Sequence, residues 1–457
     1  MTISEKIAKF VKELWPEDVP TEVFEAAKAH MLDTVGVALL SGETAPTSAM
    51  IQKLAREKEE RPECTLWGRQ EKTSAAGAVL CNATVIHGLD FDDTHTGAIV
   101  HPSASVLAVA LAIGEKLHKT GEEILLAAIA GYEVIVRLGL AADGQFHDHG
   151  FHPSGILAPF AGVCTAAKLM DLEEDVIVNA CGIAGSQAGT IMEFLHDGSW
   201  VKMLHPGWGA FGAIYAVDCA RAGFTGPRTV FEGQYGVFPT HIQNLGRLAE
   251  QIDTLGTAWL TPEIAFKLYP TCHHTHSFIN VMTSLMETHR FSAADIRSMR
   301  AYGTPMCASQ VCYPKEAKVR PETEYMMKFS LYYVLAITAL RGSVTTEEID
   351  LKYMNDPEVL EMIDRIEFVE DSSIAVPGHM PAKLEVTLKD GRTFSESQKY
   401  EKSARENPIT LEDVIRKYHA CVSGILPEAA ERTVLDVVLN FRGSDAVPRL
   451  MAAMAAR

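Results

Sequence analysis

The feature that most limits how this chain can fold is a set of long segments in its first half whose apolar residues recur at helical spacing on more than one face. Thr21 to Leu40 and Ser105 to Leu117 are examples, in a region rich in Ala, Leu and Met. A helix of that kind has to be covered all round, inside a large bundle or against a second subunit. The texture holds from about residue 4 to about residue 225 and predicts a mostly helical domain. Gly121-Glu122-Glu123 supplies an acidic first turn for one of its helices. The most apolar stretch, Ile124 to Leu140, is interrupted by Glu133 and Arg137 and falls short of a membrane span.

After about residue 265 the pattern changes. Ile296 to Gly303, Arg365 to Val369 and Lys383 to Leu388 are short β-type runs, and Lys389-Asp390-Gly391 is a turn leading into Arg392 to Ser397. Helical signals return at Thr410-Leu411-Glu412-Asp413, a capped start, and close with an amphipathic helix from Pro427 to Asn440. With 457 residues, two domains are the expectation. We place a helical domain at residues 1–265, rejoined by 403–457, and an α+β domain at 266–402, with a ligand cleft between them.

The formal net charge is -18, from 41 Lys plus Arg against 59 Asp plus Glu, which argues against nucleic acid or an anionic membrane as partner. A small anionic substrate would need a local island of Lys, Arg and His. The nine cysteines are scattered, odd in number and contain no C-x-x-C pair, which points to reduced thiols in a cytoplasmic protein. The start, MTISEKIAKFVKELWPED, has no apolar run of signal-peptide type.

Four segments carry chemistry. His87 to His101 holds three carboxylates and three imidazoles in fifteen residues. It reads as an active-site loop supplying acids and bases; a solvated acidic turn and a metal site of hydrolase type are the alternatives. Asp148 to Ser154 places His152 before Pro153, so a helix starting there holds His152 at its positive end. Asp197 to Gly212 contains Lys202 and a G-x-G-x-x-G match at Gly207 to Gly212. No β-branched strand precedes it, so a small-residue helix start that lets a carboxylate approach, with Lys202 beside it, fits better than a dinucleotide loop. Lys267 to His276 brings one Lys, three His and Cys272 to the domain boundary, able to clamp a carboxylate or shuttle protons. A Cys/His nucleophile is the alternative there, and a small buried thiol the ordinary one.

Taken in order, His87-Gly88-x-Asp90-Phe91-Asp92-Asp93-Thr94, His101-Pro102-Ser103, Phe151-His152-Pro153-Ser154, Lys202 to Gly212 and Lys267-x-Tyr269-Pro270 resemble the MmgE/PrpD family over essentially the whole chain. That family includes 2-methylcitrate dehydratase, cis-aconitate decarboxylase and iminodisuccinate epimerase. The resemblance implies a mainly α fold, with a large all-helical domain made from both chain ends plus a smaller α+β lid, and a homodimer. It implies an active site of Asp90, Thr94, His101, His152, Lys202 and Lys267, without metal or other cofactor. The decarboxylase branch has a further His two residues after Lys-x-aromatic-Pro, where this chain has Cys272 followed by His273.

The expectation that follows is a cofactor-independent lyase acting on a small di- or tricarboxylic acid. Lys202 and Lys267 would hold substrate carboxylates, with His273 and His276 as further contacts. His101 and His152 would transfer protons, Asp90 tune one of them, and Thr94 donate a hydrogen bond. A dicarboxylate epimerase and a metal-dependent hydrolase are the rival readings.

Overall fold

The computed structural model describes residues 1–58 and 60–456 and is mostly helical. The chain divides into two compact units. The first contains Met1–Glu193, Val201–Phe266 and the chain from Thr410 onward; the second contains Phe194–Trp200 and Lys267–Ile409.

The first unit is a bundle whose central helices are apolar all round because they are covered all round. In Pro102–Lys116 every residue from Pro102 to Gly114 is buried, and in Pro153–Leu169 only Lys168 escapes burial. These two pack on each other and on Gly121–Ala142 and Val201–Arg221, and Pro102–Lys116 also packs on Ala75–His87. Gly121–Ala142 opens on a capping box between Thr120 and Glu123 and is long and apolar enough to cross a membrane by composition, yet 94% of its most apolar window is buried inside the protein. Its two interrupting charges are satisfied internally. Arg137 Nη2 lies 3.2 Å from Glu133 Oε2, and Glu133 Oε1 accepts the Thr261 N–H and hydroxyl, each at 2.8 Å. A buried ion pair in which each partner is further hydrogen-bonded, Arg137 to the Gln251 carbonyl and Glu133 to Thr261, avoids the cost of a stranded charge.

The C-terminal stretch enters this unit through a capping box at Thr410 and Asp413, and the Leu411–Val422 helix packs along Thr21–Thr44. Glu428–Leu439 follows. The chain then adds a helix beyond the one expected to be last, Ala446–Met454, which buries Val447, Leu450, Met451 and Met454. It escapes a periodicity reading because it is only nine residues long and has Pro448 in its first turn.

The second unit carries a four-stranded sheet in the order Ile366–Glu370, Ile296–Gly303, Ala382–Leu388, Thr393–Gln398. The first pair is parallel and the other two are antiparallel. Burial alternates along Ala382–Leu388, as a sheet covered on one face requires. The covering element includes His276–His289, which packs on the last two strands. Gly391, at φ +93, closes the hairpin between them in a backbone conformation that other residues adopt only with strain.

Candidate active site

Two helices of the first unit begin in the same way. His101 and His152 are the N-cap residues of Pro102–Lys116 and Pro153–Leu169, each with proline at the first helical position. Proline there loses no helical hydrogen bond and has the right φ already. Each imidazole is thereby held at the positive end of a helix, where unpaired N–H groups favour an anion. The two starts are tied together and to their surroundings. The His101 N–H donates to Ser154 Oγ at 3.0 Å, and the His152 N–H donates to the Thr190 carbonyl at 2.9 Å.

Around them gather the side chains of the 87–101 segment. His87 Nδ1 is 2.9 Å and 3.0 Å from the two Asp92 oxygens. His101 Nδ1 is 3.4 Å from Asp92 Oδ2, and its Nε2 is 3.6 Å from Asp90 Oδ1. Asp92 is thus a single carboxylate between two imidazoles whose rings meet edge-on, 4.5 Å apart. Burial alone would raise its pKa, but the charges of and hydrogen bonds from His87 and His101 hold it well below the ordinary carboxylate range. Asp90 adopts φ +54, an uncommon conformation for a residue other than glycine, and accepts from Lys202 Nζ at 2.7 Å.

Lys202 stands in the first turn of Val201–Arg221, and one turn on the same helix presents His205. The Nδ1 atoms of His152 and His205 are 3.0 Å apart. That distance requires one ring to donate and the other to accept, so at most one of the two is protonated at both nitrogens. Burial first, then the charge of Lys202, holds His152 well below its ordinary value; burial, then His87 and Lys202, pushes His205 down to about 4. The cluster therefore offers two imidazoles held toward the neutral form, His152 and His205, a carboxylate kept ionised, Asp92, and the side chain of Lys202, all buried.

Asp90, His101, His152 and Lys202, expected from the sequence, are brought together in the first unit. Thr94 lies a few residues along the same loop, its backbone paired with Ala265 at 2.8 and 2.7 Å. Lys267, His273 and His276 belong to the second unit. There Lys267 is buried, the rings of His273 and His276 are 4.5 Å apart, and Tyr269 sits edge-on to His276 and donates to Asn280. Cys272 is buried, and its N–H donates to the Lys328 carbonyl.

His205 and the bridging roles of His87 and Asp92 were missing from the residue assignments made on sequence. His205 had one visible signal, its position three residues after Lys202, which places both on one helix face.

The G-x-G-x-x-G match is corrected by the structure. Gly207, Gly209 and Gly212 lie inside Val201–Arg221, not at its start. A Cβ on Gly209 would come within 2.7 Å of the Ala158 Cβ, and one on Gly207 within 2.7 Å of the Leu80 carbonyl. Their purpose is close helix crossing, which holds Lys202 and His205 against the rest of the cluster. The metal-site alternative for the 87–101 segment has a geometric counterpart, since His87, Asp90, Asp92 and His101 offer one donor atom each within 4.8 Å of one another. Both carboxylates in that set are already engaged, Asp90 by an ammonium and Asp92 by two imidazoles.

Buried acids, imidazoles and a lysine gathered at two helix starts give this cluster the make-up of an enzyme active site. Residues 5–245 match the MmgE/PrpD N-terminal domain, and residues 269–442 match the MmgE/PrpD C-terminal domain. The chain belongs to the MmgE/PrpD family, as an enzyme of lyase type. It is 27% identical to a cis-aconitate decarboxylase-like protein of Aspergillus oryzae, over 98% of this chain and 96% of that one. It is 25% identical to a cis-aconitate decarboxylase of Aspergillus terreus, over 98% and 95% of the two chains. Identity to the human cis-aconitate decarboxylase is also 25%, over 96% and 92%.

Proposed function

We propose that this enzyme works without a cofactor on a small tricarboxylic or dicarboxylic acid, cis-aconitate being the first candidate, by transferring a proton at a carbon next to a carboxylate. The observation that carries the reading is the buried set of Asp90, Asp92, His101, His152 and Lys202. A substrate carboxylate approaching Lys202 shares its ammonium with Asp90 and lies near two helix N-termini, which together stabilise negative charge building up on the substrate. In a decarboxylation the bond to the departing carboxylate breaks, its electron pair stays on the substrate, and an imidazolium delivers the proton and becomes a neutral imidazole while carbon dioxide leaves. In a dehydration an imidazole takes the proton and hydroxide leaves. We assign proton transfer to His101 and His152, and tuning of His101 to Asp90 and Asp92. Thr94 as hydrogen-bond donor, and Lys267, His273 and His276 as further substrate contacts, complete the proposal on the strength of their motifs.

Proton NMR of the purified enzyme with cis-aconitate, 2-methylcitrate and iminodisuccinate is the test. Turnover of one of these acids that is lost in Lys202→Ala, with the variant folded, supports the proposal. Undiminished turnover in Lys202→Ala contradicts it. A metal-dependent reading draws on the four donor groups within 4.8 Å. Exhaustive chelation separates the two: activity that survives favours the cofactor-independent route, and activity lost and restored by a divalent ion favours the metal.

A further inference from the structure

The segment from Asp90 to Asp93 alternates in direction. Asp90 and Asp92 point to Lys202, His87 and His101, whereas Phe91 and Asp93 engage a second buried polar network. In that network Lys417, on the Leu411–Val422 helix, places Nζ 2.7 Å from Asp33 Oδ1 and donates to the Phe91 carbonyl at 2.9 Å. The same ammonium lies 3.9 Å from the centre of the Phe91 ring. Asp93 meets His30 Nδ1 at 2.9 Å and accepts both the N–H and the hydroxyl of Ser103, which is also bonded to Tyr132. Asp33, His30, Asp93 and Ser103 are almost wholly buried.

We propose that Lys417 is a positioning residue that acts through Phe91 to hold Asp90 and Asp92 in place. Three observations converge on this. Lys417 contacts the loop on its backbone and on a side chain at once. The loop contains two residues other than glycine in the left-handed region, Asp90 at φ +54 and Ile99 at φ +55, and such backbone persists only where its surroundings fix it. Finally, a buried ion pair is often replaceable by apolar side chains without loss of stability, so stability alone does not explain Lys417 and Asp33. What apolar residues cannot supply is a hydrogen bond to the Phe91 carbonyl. The proposal rests on the reading that the Asp90–Asp92 cluster is where the chemistry occurs.

The test is the double variant Asp33→Leu/Lys417→Met in the full chain, which removes both charges together. We expect unfolding midpoints close to wild type, faster amide hydrogen exchange confined to residues 88–100, and kcat reduced about 30-fold with KM nearly unchanged, the effect of slightly misplaced catalytic groups. Lys417→Arg, which keeps charge and donors, should recover part of the loss. Val414→Ala, a core change on the same helix, should leave kcat unchanged. Where the double variant does not fold, Lys417→Gln is read in the same way. Wild-type exchange in 88–100, or wild-type kcat with a loosened loop, overturns the proposal. His101→Ala run in parallel separates the two claims: if it keeps full activity the site reading fails, while the exchange of residues 88–100 still decides whether Lys417 holds the loop.

Discussion

Asp92 accepts from His87 and lies beside His101, so its charge sets how both imidazoles are oriented and how readily they hold a proton. Asp92→Asn keeps the shape and removes the charge. We expect kcat to fall by about 100-fold or more in a folded variant, the scale of a lost acid–base partner, and a wild-type kcat would refute the role. His152 and His205 make a second, thermodynamic statement. Both titrate lower in the folded protein than the ordinary 6.5, His205 at about 4, so below pH 6.5 the unfolded chain binds protons that the folded one refuses. Their stabilisation is present above pH 6.5 and lost as pH falls, at about 1.4 kcal/mol per pH unit for each. Asp33 works in the opposite sense. Burial, against the pull of Lys417, pushes it up to about 6, so the folded protein takes its proton first and one histidine is offset. We therefore expect urea midpoints to drop between pH 6.5 and 5 and the drop to be shallower in His205→Asn; equal slopes would contradict the assignment. At this scale the sequence revealed what local order encodes. A histidine before Pro-Ser is a local signal for a helix start, so the setting of His152 was legible, whereas His101 was read as part of an acid–base loop and its place at a helix start came from the structure. His205 and Lys417 were not, because their partners are 53 and 326 residues away.

The helix Val201–Arg221 shows how an element serves the site. Its first turn supplies Lys202 and its second His205, while Gly207 and Gly209 allow Ala75–His87 and Pro153–Leu169 to press against it. Gly209→Val inserts atoms where the Ala158 Cβ and Pro159 Cδ already sit at 2.7 and 2.9 Å from a first added carbon. Overpacking of this kind costs about 1–3 kcal/mol. We expect a lower thermal midpoint together with reduced kcat, since the helix that shifts carries Lys202; unchanged stability would mean that the crossing tolerates separation. The glycine spacing was visible in the sequence, but a motif is defined by what precedes it, and here it lies in mid-helix. The strands were easier. Alternating burial and the Asp390-Gly391 turn are local signals, and Ile296–Gly303 lies where the β-type run placed it.

In the whole molecule, the first unit draws on both ends of the chain. Its Leu411–Val422 helix lies on Thr21–Thr44 and supplies Lys417, and Ala446–Met454 adds further buried apolar surface. A chain ending at Ile409 is expected to lose cooperative unfolding, and a cooperative transition with wild-type helicity would show that the C-terminal stretch is dispensable. That helices resume at Thr410 was legible, because a capping box is a local signal; which face they cover was not. The acidic composition, at net charge -18, called for a local island of Lys and His; Lys202 and His152 were named for it from their motifs, and the fold adds His205 beside His152. The most direct measurement of the proposed chemistry is proton NMR in deuterium oxide with cis-aconitate, comparing wild type with His101→Ala. We expect wild type to introduce one solvent deuterium at the carbon next to a carboxylate, and His101→Ala to do so at least about 100-fold more slowly. Equal rates of incorporation, or turnover of cis-aconitate with no deuterium at that carbon, would contradict proton transfer by this cluster.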